Sequence, residues 1–451
     1  MEYFKPPKIM TFDKDKEITS DVVKEFIQKH QAELPRYQEL MNMYKGYMQI
    51  YKQQAKAQYK PDVRLAVGFP KYIVDTFTGY FNGIPVKKSH PDKPIAEKVE
   101  LFESTNDIED TEHELAKLAC VYGRAYELMY QDEETQTRVT YVSPENMFIV
   151  YDDTVAQERL FAVSYSVDDD GVLSGAVYTK ECEYTFKTQD GTDKIGYIEE
   201  TENIYDDLPV YEFYFNEERI GIFEGTRSLI NNYNKALSEK ANDVEYFSDS
   251  YMLMLGLPID EQTMTTMRDT RTINASGEGS EKAVVKFLDK PDSDQMTENY
   301  LDRIERLIFK TSMVADISDE KFGASTSGTA LAYKLQAMSN LALSFQRKFE
   351  SALRTRYSLF FSVQTNFPES ESDKWKELEF HFARNQPKNL KEEAETATML
   401  LNVTSEETAL SALSIVPDVR AEIDRIETEN KEKMDNESFD ITPAKEVVEE
   451  V

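Results

Sequence analysis

Two glycines separated by four residues, Gly323 and Gly328, open the stretch of this 451-residue chain that is shaped most like a phosphate-gripping loop: "DEKFGASTSGTALAYKL", starting at residue 319. A nucleotide loop of that shape places a lysine and then a hydroxyl directly after its second glycine. The lysine meets the β- and γ-phosphates and the hydroxyl holds Mg²⁺. Here Thr329 and Ala330 stand in those places. Both groups that carry the charge chemistry are missing, and the residues upstream read as helix rather than buried strand. The segment therefore reads as a small, polar, flexible loop in front of a long helix.

No other catalytic constellation assembles. The four histidines, His30, His90, His113 and His381, are scattered over helix, loop and strand patterns. The acidic pairs Asp152-Asp153, Asp169-Asp170 and Asp206-Asp207 fall at turn-like positions, where solvated aspartates are common. Cys120 lies in an apolar helical pattern and reads as core rather than nucleophile. With Cys182 it makes neither a metal motif nor a disulfide framework, which suits a reducing compartment. No enzyme activity, cofactor or metal is expected.

The elements that must position these residues show two changes of period. Helical patterns come first. Thr19, Ser20 and Asp21 can cap "VVKEFIQKHQAEL". Pro35 can open "RYQELMNMYKGYMQIYKQQAKAQY", a single helix with Leu40, Met43, Tyr44, Tyr47 and Tyr51 on one face, stopped by Pro61. "FPKYIVDTFTGYFNGIPV" follows as a short amphipathic helix ending at Asn82-Gly83, and "HELAKLACVYGRAYELMY" turns at Gly123. From about Tyr126 to Phe223 the alternation and the Asp/Gly turns read as antiparallel hairpins and a meander. Helix returns over "EGTRSLINNYNKALSEKANDVEYFSDSYML", where Leu229, Ile230, Tyr233, Ala236, Leu237 and Ala241 share a face. A compact insert comes next, with strands in "YMLMLGL" and "AVVKFLD", and then the helix "DQMTENYLDRIERLIFKTSMVADI". Helix, small insert, helix describes a stalk with a tip. Beyond the glycine loop, Leu331, Leu335, Met338, Ala342, Phe345, Phe349, Leu353 and Phe360 keep helical spacing without a proline, a run of about 55–60 Å. "WKELEFHFARNQP" reads as one strand, and "NLKEEAETATMLLN", "SEETALSALSIV" and "DVRAEIDRIETENKEK" as helices. The tail "MDNESFDITPAKEVVEEV" reads as disordered.

Composition narrows the function classes. Net charge is −32, with 26 tyrosines and 25 phenylalanines but one tryptophan. That argues against a free-standing nucleic-acid grip, which carries a basic face. It does not exclude a protein that nucleic acid must pass without sticking. The N-terminal "MEYFKPPKIMTFDKDKEI" does not read as a signal peptide, and no apolar run reaches membrane-spanning length.

The order of these parts resembles the portal proteins of tailed bacteriophages, in the group found in siphoviruses of Gram-positive hosts. The resemblance rests on "RLAVGFPKYIVDTFTGYFNGIPV" (64–86), "YGRAYELMY" (122–130), "VSPENMFIVYDD" (142–153), "LPVYEFYFNEERIGIFEGTRSLINNYNKALSEKANDVEYFSDSYMLMLG" (208–256) and "DISDEKFGASTSGTALAYKL" (316–335). It implies an α+β portal fold. The wing covers 1–224, with helices followed by antiparallel β. Stem helices follow at 225–250 and 293–317, around a small α/β clip at 251–292. A tunnel loop spans 318–328, a spine helix and strand 329–388, and crown helices with an acidic tail 389–451.

The resemblance also implies a ring of about twelve copies at one capsid vertex, assembled in the host cytoplasm and carried into the virion. Double-stranded DNA enters and leaves through its channel. Implied partners are the terminase large subunit, a head-completion adaptor, and the major capsid and scaffolding proteins; no membrane is implied. In the tunnel loop Lys321, Phe322, Gly323, Ser325, Thr326 and Ser327 would face DNA. Arg303, Arg306 and Lys310 on the second stem helix either face the channel or pair with Asp302, Glu305 or a neighbouring subunit. Arg268, Arg271 and Lys286 are the clip residues assigned to docking. The competing readings are a cytoplasmic helical scaffold without a channel and a nucleotide-dependent enzyme using the glycine loop.

Overall fold

In a computed structural model the described residues are 7–57, 60–188, 194–248, 252–255, 284–287, 294–317, 328–385, 390–401, 403–413, 415–416 and 419–438. In chain order the elements are β1 (Met10–Phe12), α1 (Ser20–Gln31), α2 (Leu34–Tyr44), α3 (Phe69–Asn82), β2 (Lys87–Ser89), α4 (Lys93–Thr105) and α5 (Ile108–Tyr122). Strands β3 (Arg124–Gln131), β4 (Thr137–Val142), β5 (Met147–Asp152), β6 (Arg159–Val167), β7 (Leu173–Tyr178), β8 (Cys182–Thr188), β9 (Ile195–Glu202) and β10 (Val210–Tyr214) follow. The chain continues with α6 (Arg227–Ser248), β11 (Met252–Leu255), β12 (Val284–Phe287), α7 (Asp294–Ser312), α8 (Gly328–Ser362), β13 (Glu379–His381), α9 (Leu390–Leu401), α10 (Glu406–Leu410) and α11 (Val419–Ser438). The class is α+β, as the sequence predicts. The chain divides into two compact units. One holds Met1–Thr78, Lys88–Ala315 and Ala337–Phe380; the other holds Gly79–Lys87, Asp316–Gln336 and His381–Val451.

The first unit is organised by a six-stranded sheet in the order β1-β5-β6-β7-β8-β9 and a three-stranded sheet β10-β3-β4. The antiparallel meander expected from the alternation runs from β5 to β9, and β1 adds a parallel edge to β5. Alternate residues of β5 and β6 feed two cores. Phe148, Val150, Phe161 and Val163 meet Val23, Phe26 and Ile27 of α1. Met147, Ile149 and Ala162 meet Tyr126 and Val210. Each buried Val, Ile, Phe or Met among them contributes about 1.5–3 kcal/mol. Thr19 caps α1, its hydroxyl accepting from Val22 N. Gly123 ends α5 at φ +88°, and a Cβ there would lie 2.1 Å from the Arg219 carbonyl oxygen.

On α8, Leu335, Met338, Ala342, Phe345, Phe349, Leu353 and Phe360 are all buried, as their spacing predicts. The helix has 35 residues, about 52 Å at 1.5 Å each. Phe345 and Phe349 pack edge-on or tilted against Phe77, Phe213 and Phe215. In the second unit Phe81 packs on Phe382, and Arg384 donates to the Phe81 carbonyl at 3.0 Å.

Several expectations are corrected. The helix expected across 36–59 stops at Tyr44, because Gly46 takes φ +88°. The chain then buries Met48 and Ile50 at a two-residue period, leaving Tyr47 and Tyr51 outside. Of the strand expected at "WKELEFHFARNQP", Trp375 to Glu377 end a 3₁₀ run that starts at Glu369, and only Glu379–His381 are strand. The helix in "SEETALSALSIV" is confined to Glu406–Leu410. Residues 434–438 of the tail, expected to be disordered, continue α11. Helix α4, with Pro94 in its first turn, has no counterpart in the sequence reading.

Candidate nucleic-acid interface

Helices α6 and α7 form an antiparallel pair. Lys240 pairs with Glu298, and the Tyr233 hydroxyl, pushed up by burial and then by Glu305 and Asp302, lies toward the other end of α7. Beyond the pair, β11 and β12 are also antiparallel, with Met252 opposite Phe287 and Leu255 opposite Val284. The stalk and the start of its tip thus keep one hairpin connectivity. The stalk is seated by aromatic edges: Phe309 of α7 on Phe69 and Tyr72 of α3, and Phe69 on Tyr233 of α6.

The most buried stripe of α6 is polar, apart from Ile230. Asn234, Ser238 and Asn242 accept the backbone N–H groups of Val67, Leu65 and Val63, at 2.9, 3.0 and 2.6 Å. Two residues of extended chain advance about 6.6 Å and four of helix about 6.0 Å, so every second amide meets every fourth helical side chain. The apolar positions read from sequence, Leu229, Tyr233, Ala236, Leu237 and Ala241, are only half-buried. The missed signal is legible in hindsight: Asn-x₃-Ser-x₃-Asn matches the alternating Val-x-Leu-x-Val.

On α7, Leu301, Ile304, Ile308 and Ser312 are buried. Arg303, Arg306 and Lys310 are exposed and project from nearly the opposite side, given about 100° per residue. Neither Arg303 nor Lys310 joins an ion pair among the described residues, and Arg306 Nε donates to the Asp302 carbonyl at 3.2 Å. Within the chain, then, these cations are not paired with the side chains of Asp302 or Glu305. The exposed face is not purely basic: Met296, Tyr300 and Leu307 share it. Geometrically it offers a row of cations one to two helical turns apart, the arrangement that meets a polyanion through point charges.

Lys286 lies on β12 opposite Leu253. Arg268, Arg271 and the tunnel-loop residues Lys321, Phe322, Gly323, Ser325, Thr326 and Ser327 lie outside the described residues.

The remaining candidate groups have structural work. The imidazole of His30 is buried, with Nε2 2.7 Å from the Pro144 carbonyl and Nδ1 2.7 Å from the Tyr165 hydroxyl. The carbonyl only accepts, so Nε2 carries the proton and Tyr165 donates to Nδ1. Burial pushes the His30 pKa down to about 4. Asp152 closes a turn by accepting from Thr154 and Glu158. Burial raises Asp207, but Arg159, the Leu208 backbone and Lys180 outweigh it and hold the carboxyl low. Cys120 is buried in α5 and burial raises its thiol. Among the described residues no group of three or more His, Cys, Asp or Glu could hold a metal ion. No helix among them is long and apolar enough to cross a membrane.

The family model described as "Phage portal protein, SPP1 Gp6-like" matches residues 23–436. A curated relative, the portal protein of Bacillus phage SPP1, is 24% identical over 393 residues, covering 82% of this chain and 76% of that protein. A match of that extent takes in the three-stranded sheet, β5 to β9 of the larger sheet, the stalk and the long helix, and on it the chain belongs to the SPP1 Gp6-like family of phage portal proteins.

Proposed function

We propose that copies of this chain close head to tail into a ring of about twelve at one capsid vertex, and that double-stranded DNA is packaged and ejected through its axial channel. Family membership carries the portal role itself, which is structural rather than enzymatic. In this reading α6 and α7 are the stem, residues 251–292 the clip where terminase and then a head-completion adaptor dock, and residues 318–328 the tunnel loop. Helix α8 is the spine of the wing, and 389–451 form the crown facing the capsid interior. Ring assembly takes place in the host cytoplasm, with capsid and scaffolding proteins as partners.

The observation that carries the channel reading is the cation row on α7, set opposite its buried stripe, with Arg303 and Lys310 in no ion pair among the described residues. Few cations in a chain of net charge −32 give transient phosphate contacts without a static grip, since each neutralised phosphate adds affinity that opposes movement. The small residues of the loop leave room at the narrowest point, and Lys321 adds one further contact per copy.

Electron microscopy of the purified protein tests the ring: closed rings with an axial hole are expected, and only monomers or dimers would overturn it. Packaging with an Arg303→Glu/Arg306→Glu/Lys310→Glu variant tests the channel. Normal rings with impaired DNA uptake are expected; full uptake removes α7 from the DNA path. Deleting 320–327 is expected to spare assembly and impair packaging or retention. Loss of assembly instead makes the loop structural.

A further inference from the structure

Residues 40–61 form a 22-residue window without one Asp or Glu, in a chain that has 84 of them, and they hold four lysines. The structure turns this window into a platform. Met48 and Ile50 are buried anchors, while Lys45, Tyr47, Gln49, Tyr51 and Lys52 are exposed. Tyr47 is 65% exposed and Tyr51 48%, high for residues with so much apolar surface. The backbone is held from behind: Arg64 Nη1 donates to the carbonyls of Tyr51 and Gln53, at 3.1 and 2.9 Å. Acids that touch the window or its brace are already paired: Asp62 with Arg64, Glu239 with Lys56, and Asp75, which accepts from Tyr44, with Lys71. Lys45 and Lys52 join no ion pair among the described residues.

We propose that this platform is a second nucleic-acid contact, separate from α7, with Lys45 and Lys52 on backbone phosphates and Tyr47 and Tyr51 as flat faces beside them. Lysine is depleted from the cores of protein interfaces, and among the described residues of the window only the tyrosines add sizeable exposed apolar surface. Lysine ammonium groups and tyrosine hydroxyls both reach backbone phosphates without reading sequence, in a duplex as in a single strand. The proposal rests on the portal reading only for the source of the nucleic acid.

The test uses full-length protein, assembled as it purifies, in the Arg303→Glu/Arg306→Glu/Lys310→Glu background so that α7 is silent. The readout is fluorescence anisotropy of a labelled 20-base-pair duplex at two salt concentrations. Adding Lys45→Glu and Lys52→Glu is expected to weaken binding at least tenfold and to flatten the salt slope by about two. Tyr47→Ala/Tyr51→Ala is expected to cost about three- to tenfold. If the glutamate variant misfolds by circular dichroism, Lys45→Gln/Lys52→Gln replaces it, with at least threefold weakening expected. Unchanged binding overturns the proposal. So does a loss that only tracks fewer rings by light scattering, which makes the surface a contact between copies. Rings that form but do not bind here sink this proposal alone; binding here by a protein that never forms rings leaves it standing and sinks the portal reading.

Discussion

Two groups of cations in this protein behave in opposite ways. Arg356 of α8 is buried, its Nε and Nη2 both 2.9 Å from the two oxygens of Glu127, and its Nη1 2.5 Å from Glu112. Lys88 joins Glu112 to Glu103 at 3.0 Å on each side, and the Tyr357 hydroxyl donates to Glu103. Burial works against the charge of Arg356, yet Glu127 and Glu112 hold its pKa well above the ordinary value. On the other face of the same small sheet, Glu212 of β10 accepts from Arg219 at 3.0 Å and from Tyr151 at 2.8 Å. Burial raises Glu212, but Arg124 and Arg219 outweigh it. Out on α7, Arg303 and Lys310 stand in solvent and join no ion pair among the described residues. The difference teaches where charge is spent. In a poorly solvated interior an ion must be satisfied within the fold, whereas in water it stays available to a partner.

The comparison breaks first at Arg356. Arg356→Met leaves Glu127 and Glu112 buried beside an apolar group and is expected to cost about 3–5 kcal/mol, read as a lower urea midpoint. Adding Glu127→Gln is expected to recover part of that loss; an additive second loss would mean the pair is not coupled. Second in size is His30. Its folded pKa of about 4 lies below the ordinary 6.5, so the unfolded chain binds the extra proton first as pH falls. The contribution is whole above pH 6.5 and is lost toward pH 4, about 3 kcal/mol over that window. His30→Gln is expected to flatten the difference between unfolding at pH 7 and pH 4.5, and an unchanged difference would assign the acid sensitivity to other groups.

The stalk sharpens the contrast at smaller cost. Asn234→Ala leaves the Val67 amide without its acceptor and is expected to cost about 1–3 kcal/mol. Hydrogen exchange is expected to quicken at residues 63–67 rather than across α7. The smallest effect on stability belongs to Arg303→Glu/Lys310→Glu, within about 0.5 kcal/mol. A larger drop in melting temperature would show that these cations support the fold, against the role given them here.

Much of the fold was legible in the residues because it is local. The caps at Thr19 and Gly123, the alternation of β5 to β9 and the unbroken apolar spacing of α8 follow from neighbours within a turn or a hairpin. Gly46 shows how a local signal fails: one left-handed residue ends α2 although Tyr44, Tyr47 and Tyr51 keep helical spacing across it. The candidate site was legible only in part. The spacing of 303, 306 and 310 puts three cations on one face, but which face of α7 is buried, and so which stays exposed, depends on where its packing partners lie.

By itself, the sequence determined the α+β class, the helix–insert–helix order, the unbroken apolar spacing of α8, and the family, since each is carried by periodicity or by long runs of matched residues. Only the tertiary structure decided which charges are internal. Glu127 and Arg356 are 229 positions apart, and nothing within a few residues of either announces the other. It also decided that Asn234, Ser238 and Asn242 are more deeply buried than most of the apolar positions beside them, because a polar side chain goes inside when distant backbone amides arrive in register to meet it.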